Sequence, residues 1–175
     1  MTGALEIRIN KPTNLPALKT LYQDAFPTED LFPLVIELLH DTSATTSIIA
    51  IVGTALVGHV IFTDCGVEGT PSKVALLGPL AVASKLQKQG IGSSLVRNGL
   101  QRLADDNIAH VFVLGDPAYY GRFGFTTEAN IAPPYPLPEE WRDAWQAIEL
   151  GDGERLAKGE LSVPTPWRKP ALWGP

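Results

Sequence analysis

At 175 residues, 45% of them hydrophobic and 19% charged, the chain is large enough to bury a full core and too apolar for the disordered classes. Its net charge of −5 excludes a broad nucleic-acid footprint, so a polyanion has to be gripped locally if it is gripped at all. The single cysteine excludes a disulfide framework and suits a reducing compartment.

In chain order, Met1 to Glu6 shows no basic segment followed by an apolar core, so no signal peptide is expected. Leu5-Glu6-Ile7-Arg8-Ile9 alternates and predicts a first strand. Pro12 to Pro16 predicts a turn. Leu15, Leu18, Leu21, Tyr22 and Phe26 then fall on one face of a helix that stops before Pro27. A second helix is predicted from about Glu29 to His40, apolar on nearly every side, which implies burial or a lid. Ser47 to Val52 and Ala55 to Thr63 predict a hairpin turning at Gly53-Thr54. The whole apolar stretch from Ile48 to Phe62 is too short to span a bilayer, so no membrane segment is expected and the predicted location is the cytoplasm. Cys65 to Ser72 is expected to be a longer turn, with Cys65 a packed thiol rather than a nucleophile.

Lys73 to Val82 predicts a buried strand interrupted by Gly78-Pro79, where proline cannot donate to a ladder and glycine permits distortion. A helix follows from Gly90 to Asp105, with Ile91, Leu95, Val96, Gly99, Leu100 and Leu103 at helical spacing. His110 to Leu114 is the next strand. Asp116-Pro117 predicts an N-cap and first-turn proline launching a short helix through Tyr119 and Tyr120, and Phe125 starts another strand. Trp145 to Leu150 and Gly159 to Val163 are candidate last strands, and Pro164, Pro166 and Pro170 predict an extended tail. Antiparallel hairpins with a central strand-helix-strand unit make an α/β sheet of mixed direction. All four tryptophans lie beyond residue 140, in a proline-rich extension that serves as core cover, as a wall of an acceptor pocket or as a homodimer contact. Core cover is preferred.

The chemistry concentrates at Gln87-Lys88-Gln89-Gly90-Ile91-Gly92, where a strand gives way to a helix through two glycines. Glycines let backbone approach a ligand, and the first-turn N–H groups with the helix dipole make a seat for phosphate or pyrophosphate. Lys85 and Lys88 add local positive charge. No Walker lysine-serine pair is present. A dinucleotide loop needs a third glycine where Leu95 stands.

Gln87, Gly90 and Gly92 match Gln/Arg-x-x-Gly-x-Gly/Ala, with Val82 five residues upstream. Tyr120-Gly121-Arg122-Phe123-Gly124-Phe125 matches Tyr-x-x-x-Gly-Phe. In this order the two motifs resemble those of the GNAT N-acetyltransferases, and the run GDPAYYGRFGF is similar to a bacterial branch known as YhbS-like. The resemblance covers roughly residues 4 to 130. It implies a mostly antiparallel central sheet flanked by helices, one acetyltransferase domain over 1–175 (core about 4–130, extension about 131–175), acetyl-CoA as co-substrate, an amine acceptor of unknown identity, and no metal. It implies contact of acetyl-CoA with Leu80, Ala81, Val82, Gln87, Lys88, Gln89, Gly90, Ile91, Gly92 and Ser93. It also implies peptide N–H groups near Val82 for the oxyanion, and Tyr120 as the acid that protonates the departing thiolate. The helix pair at residues 15–40 borders the acceptor in that family, making Glu29, Asp30 and Glu37 candidates for holding a cationic amine. No base is assigned, His59, Asp64, Glu29 and a water relay remaining open. A non-catalytic acyl-CoA binder or interaction protein of the same fold is the alternative.

Overall fold

The alternation at the start of the chain becomes strand β1 (Leu5–Ile9) in the computed structural model, which describes residues 3–151 and 156–175. Met1 and Thr2, part of the stretch searched for a signal peptide, and residues 152–155 of the C-terminal extension lie outside the described residues. The chain divides into two compact units, Met1–Thr63 with Gly78–Gln101, and Asp64–Leu77 with Arg102–Pro175.

In the first unit β1 pairs antiparallel with β2 (Thr45–Val52), and β2 with β3 (Ala55–Val67). The hairpin turns through Gly53 at φ 63°, a left-handed conformation that glycine adopts without steric cost. Next in order comes β4 (Val74–Val82). Helices α1 (Leu15–Ala25) and α2 (Phe32–His40) precede β2. The predicted turn at Pro12 is a single 3-10 turn, Pro12–Asn14, leading directly into α1. Helix α2 starts later than predicted. Pro33 lacks the N–H that a helix opening at Glu29 would bond back to that residue, so Glu29 and Asp30 remain in an exposed connection.

Helices cover both faces of β3. Tyr22 of α1 reaches His59 on one face. On the other lies α3 (Ile91–Asp105), whose first turns belong to this unit. A Cβ added to Gly58 would stand 2.9 Å from Leu95 and 3.1 Å from Ile91, and one added to Gly99 only 2.0 Å from the buried Phe62 ring. The two missing side chains are what let α3 lie so close to the strand.

In the second unit the first half of β4 pairs in parallel with β5 (His110–Leu114), from Val74↔His110 to Leu77↔Val113. The break predicted at Gly78-Pro79 is therefore a break in pairing, since β4 itself continues through both residues. A short helix α4 (Pro117–Tyr120) opens on Asp116, whose carboxylate accepts the Ala118 N–H at 2.9 Å. Two short strands follow, β6 (Thr126–Thr127) and β7 (Ile131–Ala132). Strand β8 (Trp145–Glu149) runs antiparallel to β5 and to β6. The long turn expected from Cys65 begins three residues later, at Glu68: β3 continues to Val67, and Gly66 and Val67 pair with β9 (Gly159–Ser162), which also runs parallel to β7.

The tail is not extended as predicted. It coils into two 3-10 turns, Thr165–Trp167 and Pro170–Trp173, each with proline in its first positions, where the missing N–H costs nothing. These turns bring Trp167 and Trp173 into the core beside Trp145, which stacks on Phe112 at 5.5 Å. The Trp173 indole N–H donates to the Trp167 carbonyl at 3.0 Å. No helix among the described residues is long and apolar enough to cross a membrane.

The seat of α3 carries a stability prediction. Alanine is the better helix former by about 1 kcal/mol, so propensity alone makes Gly99→Ala stabilising. The clash with Phe62 reverses the sign, and we expect a net loss of about 1–3 kcal/mol in urea unfolding. Stability equal to or above wild type would show that Phe62 yields freely.

Candidate functional site

The glycine loop is held in the first unit by three short-range devices. Ala83 N–H donates to the Val57 carbonyl at 2.8 Å, tying the end of β4 to β3. The Gln87 amide donates to the Val82 carbonyl at 3.1 Å, closing the turn at Ser84–Leu86. From α1, the Asp24 carboxylate accepts both the Ser84 N–H (2.7 Å) and the Ser84 hydroxyl (2.8 Å). The backbone bond, then the hydroxyl bond, hold the Asp24 carboxyl below its ordinary range. Sequence reasoning did not find Asp24, because nothing local links it to a serine sixty positions on.

Past Gln87 the backbone turns left-handed twice, at Lys88 (φ 64°) and at Gly90 (φ 90°), before α3 begins. Only the second of these left-handed positions is a glycine, so the conformation of Lys88 was not legible from residue type. A Cβ added to Gly90 meets nothing within 4 Å, which leaves open space over the helix start. Ser94 N–H bonds to the Gly90 carbonyl, so the Ile91, Gly92 and Ser93 amides have no acceptor within the helix. The first turn carries no acidic residue, and Lys85, Gln87, Lys88, Gln89 and Gly90 are exposed. Peptide N–H groups, the positive end of the helix dipole and open space together fit a phosphate or pyrophosphate. The Ile91 side chain is buried against the Gly58 position, so its amide rather than its side chain faces that seat. All ten predicted loop and strand residues, Leu80 to Val82 and Gln87 to Ser93, lie in this unit.

Tyr120 lies in the second unit, at the end of α4. Its ring is fixed by Gly115, where an added Cβ would stand 2.5 Å away, and by Phe125 and Tyr119, with centroids at 5.7 and 5.0 Å. Its hydroxyl makes no hydrogen bond to a described residue. Burial, then the neighbouring Tyr119, push its pKa above the ordinary phenol range, so it remains protonated at neutral pH. Tyr119 differs: the Arg122 guanidinium lies over its ring at 4.6 Å. Adjacent on the chain, the two tyrosines have different surroundings.

Among the side chains considered as a base, His59 is accounted for by the core. It is fully buried, with Nδ1 2.7 Å from the Tyr22 hydroxyl and Nε2 2.7 Å from the Ser47 hydroxyl. Tyr22 is buried and bonds to no other described group, so its O–H must donate to Nδ1. The opposite tautomer strands a buried hydroxyl hydrogen at about 1–3 kcal/mol. The ring proton is therefore on Nε2 and is given to Ser47 Oγ. Burial pushes the imidazole pKa down to about 3, and burial also raises that of Tyr22. Asp64 is in the second unit, its carboxyl raised by burial and then by Asp106. Burial, then Asp64, push the Cys65 thiol up to about 12, so it is held as the thiol. The described residues contain no group of three or more His, Cys, Asp or Glu arranged to hold a metal.

Residues 15–125 match the family described as Acetyltransferase (GNAT) family. The uncharacterized N-acetyltransferase YhbS of Escherichia coli K12 is 34% identical over 157 residues, spanning 89% of this chain and 90% of that protein. YjhQ, an uncharacterized N-acetyltransferase of the same strain, is 34% identical over 146 residues, 79% of this chain and 81% of its own. The crystal structure of Escherichia coli YhbS in complex with CoA superposes with a TM-score of 0.84 at 28% identity, covering 94% of this chain and 92% of that one. A GNAT acetyltransferase from Brucella melitensis in complex with acetyl-CoA has the same fold, with a TM-score of 0.76 at 24% identity over 94% and 98% of the chains.

The buried imidazole carries a pH prediction. Unfolded, His59 takes a proton below about pH 6.5. Folded, it resists protonation down to about 3. Its folded pKa being depressed, its contribution is complete above pH 6.5 and is lost as pH falls toward 3, at about 1.4 kcal/mol per pH unit. Subtracting the unfolding free energy of His59→Gln, which cannot titrate, from that of wild type should leave this slope between about pH 6 and pH 4. A pH-independent difference would mean that the folded imidazole accepts the proton.

Proposed function

The chain belongs to the GNAT acetyltransferase family, and on that premise we propose that it moves an acetyl group from acetyl-CoA to a primary amine by direct attack in a ternary complex. The observation that carries this reading is the open helix start at Gly90, with three amides and no opposing acid. It suits the pyrophosphate of the co-substrate, and a relative with the same fold was crystallised with CoA. We take residues 1–175 as one acetyltransferase domain working in the cytoplasm.

A thioester supplies the activated acetyl group, and the protein has to stabilise an oxyanion and protonate a departing sulfur. Peptide N–H groups around Val82 are our choice for the oxyanion. The parallel register of β4 stops at Leu77, which leaves Leu80 to Val82 to pair with an extended ligand arm in the manner of a strand. Tyr120 is our acid. Its hydroxyl is unengaged and its ring is fixed by packing, while a raised pKa keeps it protonated. The same loss of solvent that raises the phenol would raise the proton affinity of a thiolate, ordinarily about 8.5, so the ordinary gap of about 1.5 units between phenol and thiol need not widen. Acetyl-CoA titration by calorimetry, followed by thiol release over a panel of amines, tests the reading. Binding without release on any amine would turn it toward the non-catalytic acyl-CoA binder.

Two substitutions separate the parts. Gly90→Asp puts a carboxylate where the pyrophosphate belongs and should abolish acetyl-CoA binding, whereas Gly90→Ala adds only the strain of a left-handed alanine, about 1–2 kcal/mol. Equal affinities for the two variants would remove the loop from the cofactor site. Tyr120→Phe keeps the ring packing and removes one hydroxyl. A positioned acid is worth roughly 10²–10⁴ in rate, about 3–5.5 kcal/mol, so kcat should fall about tenfold or more with acetyl-CoA affinity nearly unchanged. Tyr119→Phe should stay near wild type. Full activity in both variants would make Tyr120 a packing residue.

A further inference from the structure

The first unit has a second concavity at the end of its strands opposite the glycine loop. The loop lies where Ala83 meets Val57, near the β2–β3 hairpin turn, whereas this cavity lies where β1 ends and β2 begins. It holds about 280 Å³, walled by Ile9, Leu15, Leu18, Ile36 and Leu39, with Ser47 among its lining. That is just below the usual range for ligand pockets, about 300–1,000 Å³, and suits only a small ligand. Ile9 and Leu15, 46% and 39% exposed, are two of the three large apolar side chains left most open to water among the described residues. The chain thus leaves apolar surface uncovered at the mouth of a cavity that continues inward.

The polar groups of the cavity give it a sign. Ser47 Oγ accepts from His59 Nε2, so its own hydroxyl hydrogen has no acceptor among the described residues and remains for a ligand. Lys11 and His40 also line the cavity, and no aspartate or glutamate does. A ligand suited to these walls has a small apolar body and accepts hydrogen bonds with a negatively charged head.

We propose that this cavity is a binding site for a small carboxylic acid with an alkyl or aryl body, its carboxylate accepting from Ser47 and drawn by Lys11. The site shares no residue with the glycine loop and does not depend on the acetyl-transfer reading. It is a second site, for a ligand that lacks the amine an acceptor needs.

Hexanoate is the probe, titrated into the full chain saturated with acetyl-CoA, with methyl and histidine-ring signals followed by NMR. Saturable shifts of the Leu15, Ile36 and Leu39 methyls and of the His59 ring are expected, and hexylamine should produce none. Ser47→Ala should weaken hexanoate about tenfold, the usual worth of a hydrogen bond to a charged acceptor. Lys11→Glu, a change at an exposed side chain, should weaken it several-fold even if Ser47→Ala does not fold. Leu39→Trp should fill the space and remove binding. The proposal is overturned by any one of four results: no saturable shift, equal response to hexylamine, affinity indifferent to the Ser47 and Lys11 changes, or sedimentation showing that a second copy of the chain covers the Ile9 and Leu15 face.

Discussion

How closely α3 lies on β3 decides where the peptide N–H groups of the helix start are held. A helix offers an anion site only as precise as its own placement, because the donors are backbone and have no rotamers to adjust. Gly58 and Gly99 remove the two side chains that would lift α3 from the strand, and Phe62 and Leu95 fill the space they leave. With the helix seated, the loop needs fixing only at its strand end, by Val57, Val82 and Asp24. Side chains that never meet a phosphate thus hold the groups suited to it.

Much of this was legible beforehand, for identifiable reasons. Strands β1, β5 and β8 announce themselves by alternation or by a bounded apolar run, and α4 by an aspartate followed by proline. The glycine loop was legible because it depends on residues close together in sequence. What escaped depends on partners far along the chain. The last residues of β3, Gly66 and Val67, pair with β9, which lies far along the chain. Asp24 matters only because α1 returns to Ser84. The tail departs from expectation because proline, a mark of extended chain, is equally at ease in the first positions of a 3-10 turn.

The two tyrosines at the end of α4 show how little separates a functional assignment from a packing one. Motif spacing favours Tyr120, whose ring is held by Gly115 and Phe125 while its hydroxyl bonds to no described residue. Tyr119 instead lies under the Arg122 guanidinium. His59 is the converse: a residue type suited to catalysis whose two nitrogens are both occupied by core hydroxyls. Residue identity suggests chemistry, and the bonds already made decide whether it is available.

The pairing of β3 with β9 also governs how the chain reaches this state. Gly66 and Val67 are among the earlier strand residues to leave the ribosome, yet Leu161 and Ser162 are among the last. Until they arrive, the backbone donors and acceptors at that end of β3 form an unpaired edge able to recruit a strand from another molecule. Contacts so distant in sequence form slowly, because a long loop has to close before any of their energy is recovered. Crowded synthesis therefore exposes this chain to intermolecular strand pairing at Gly66 and Val67 until β9 arrives.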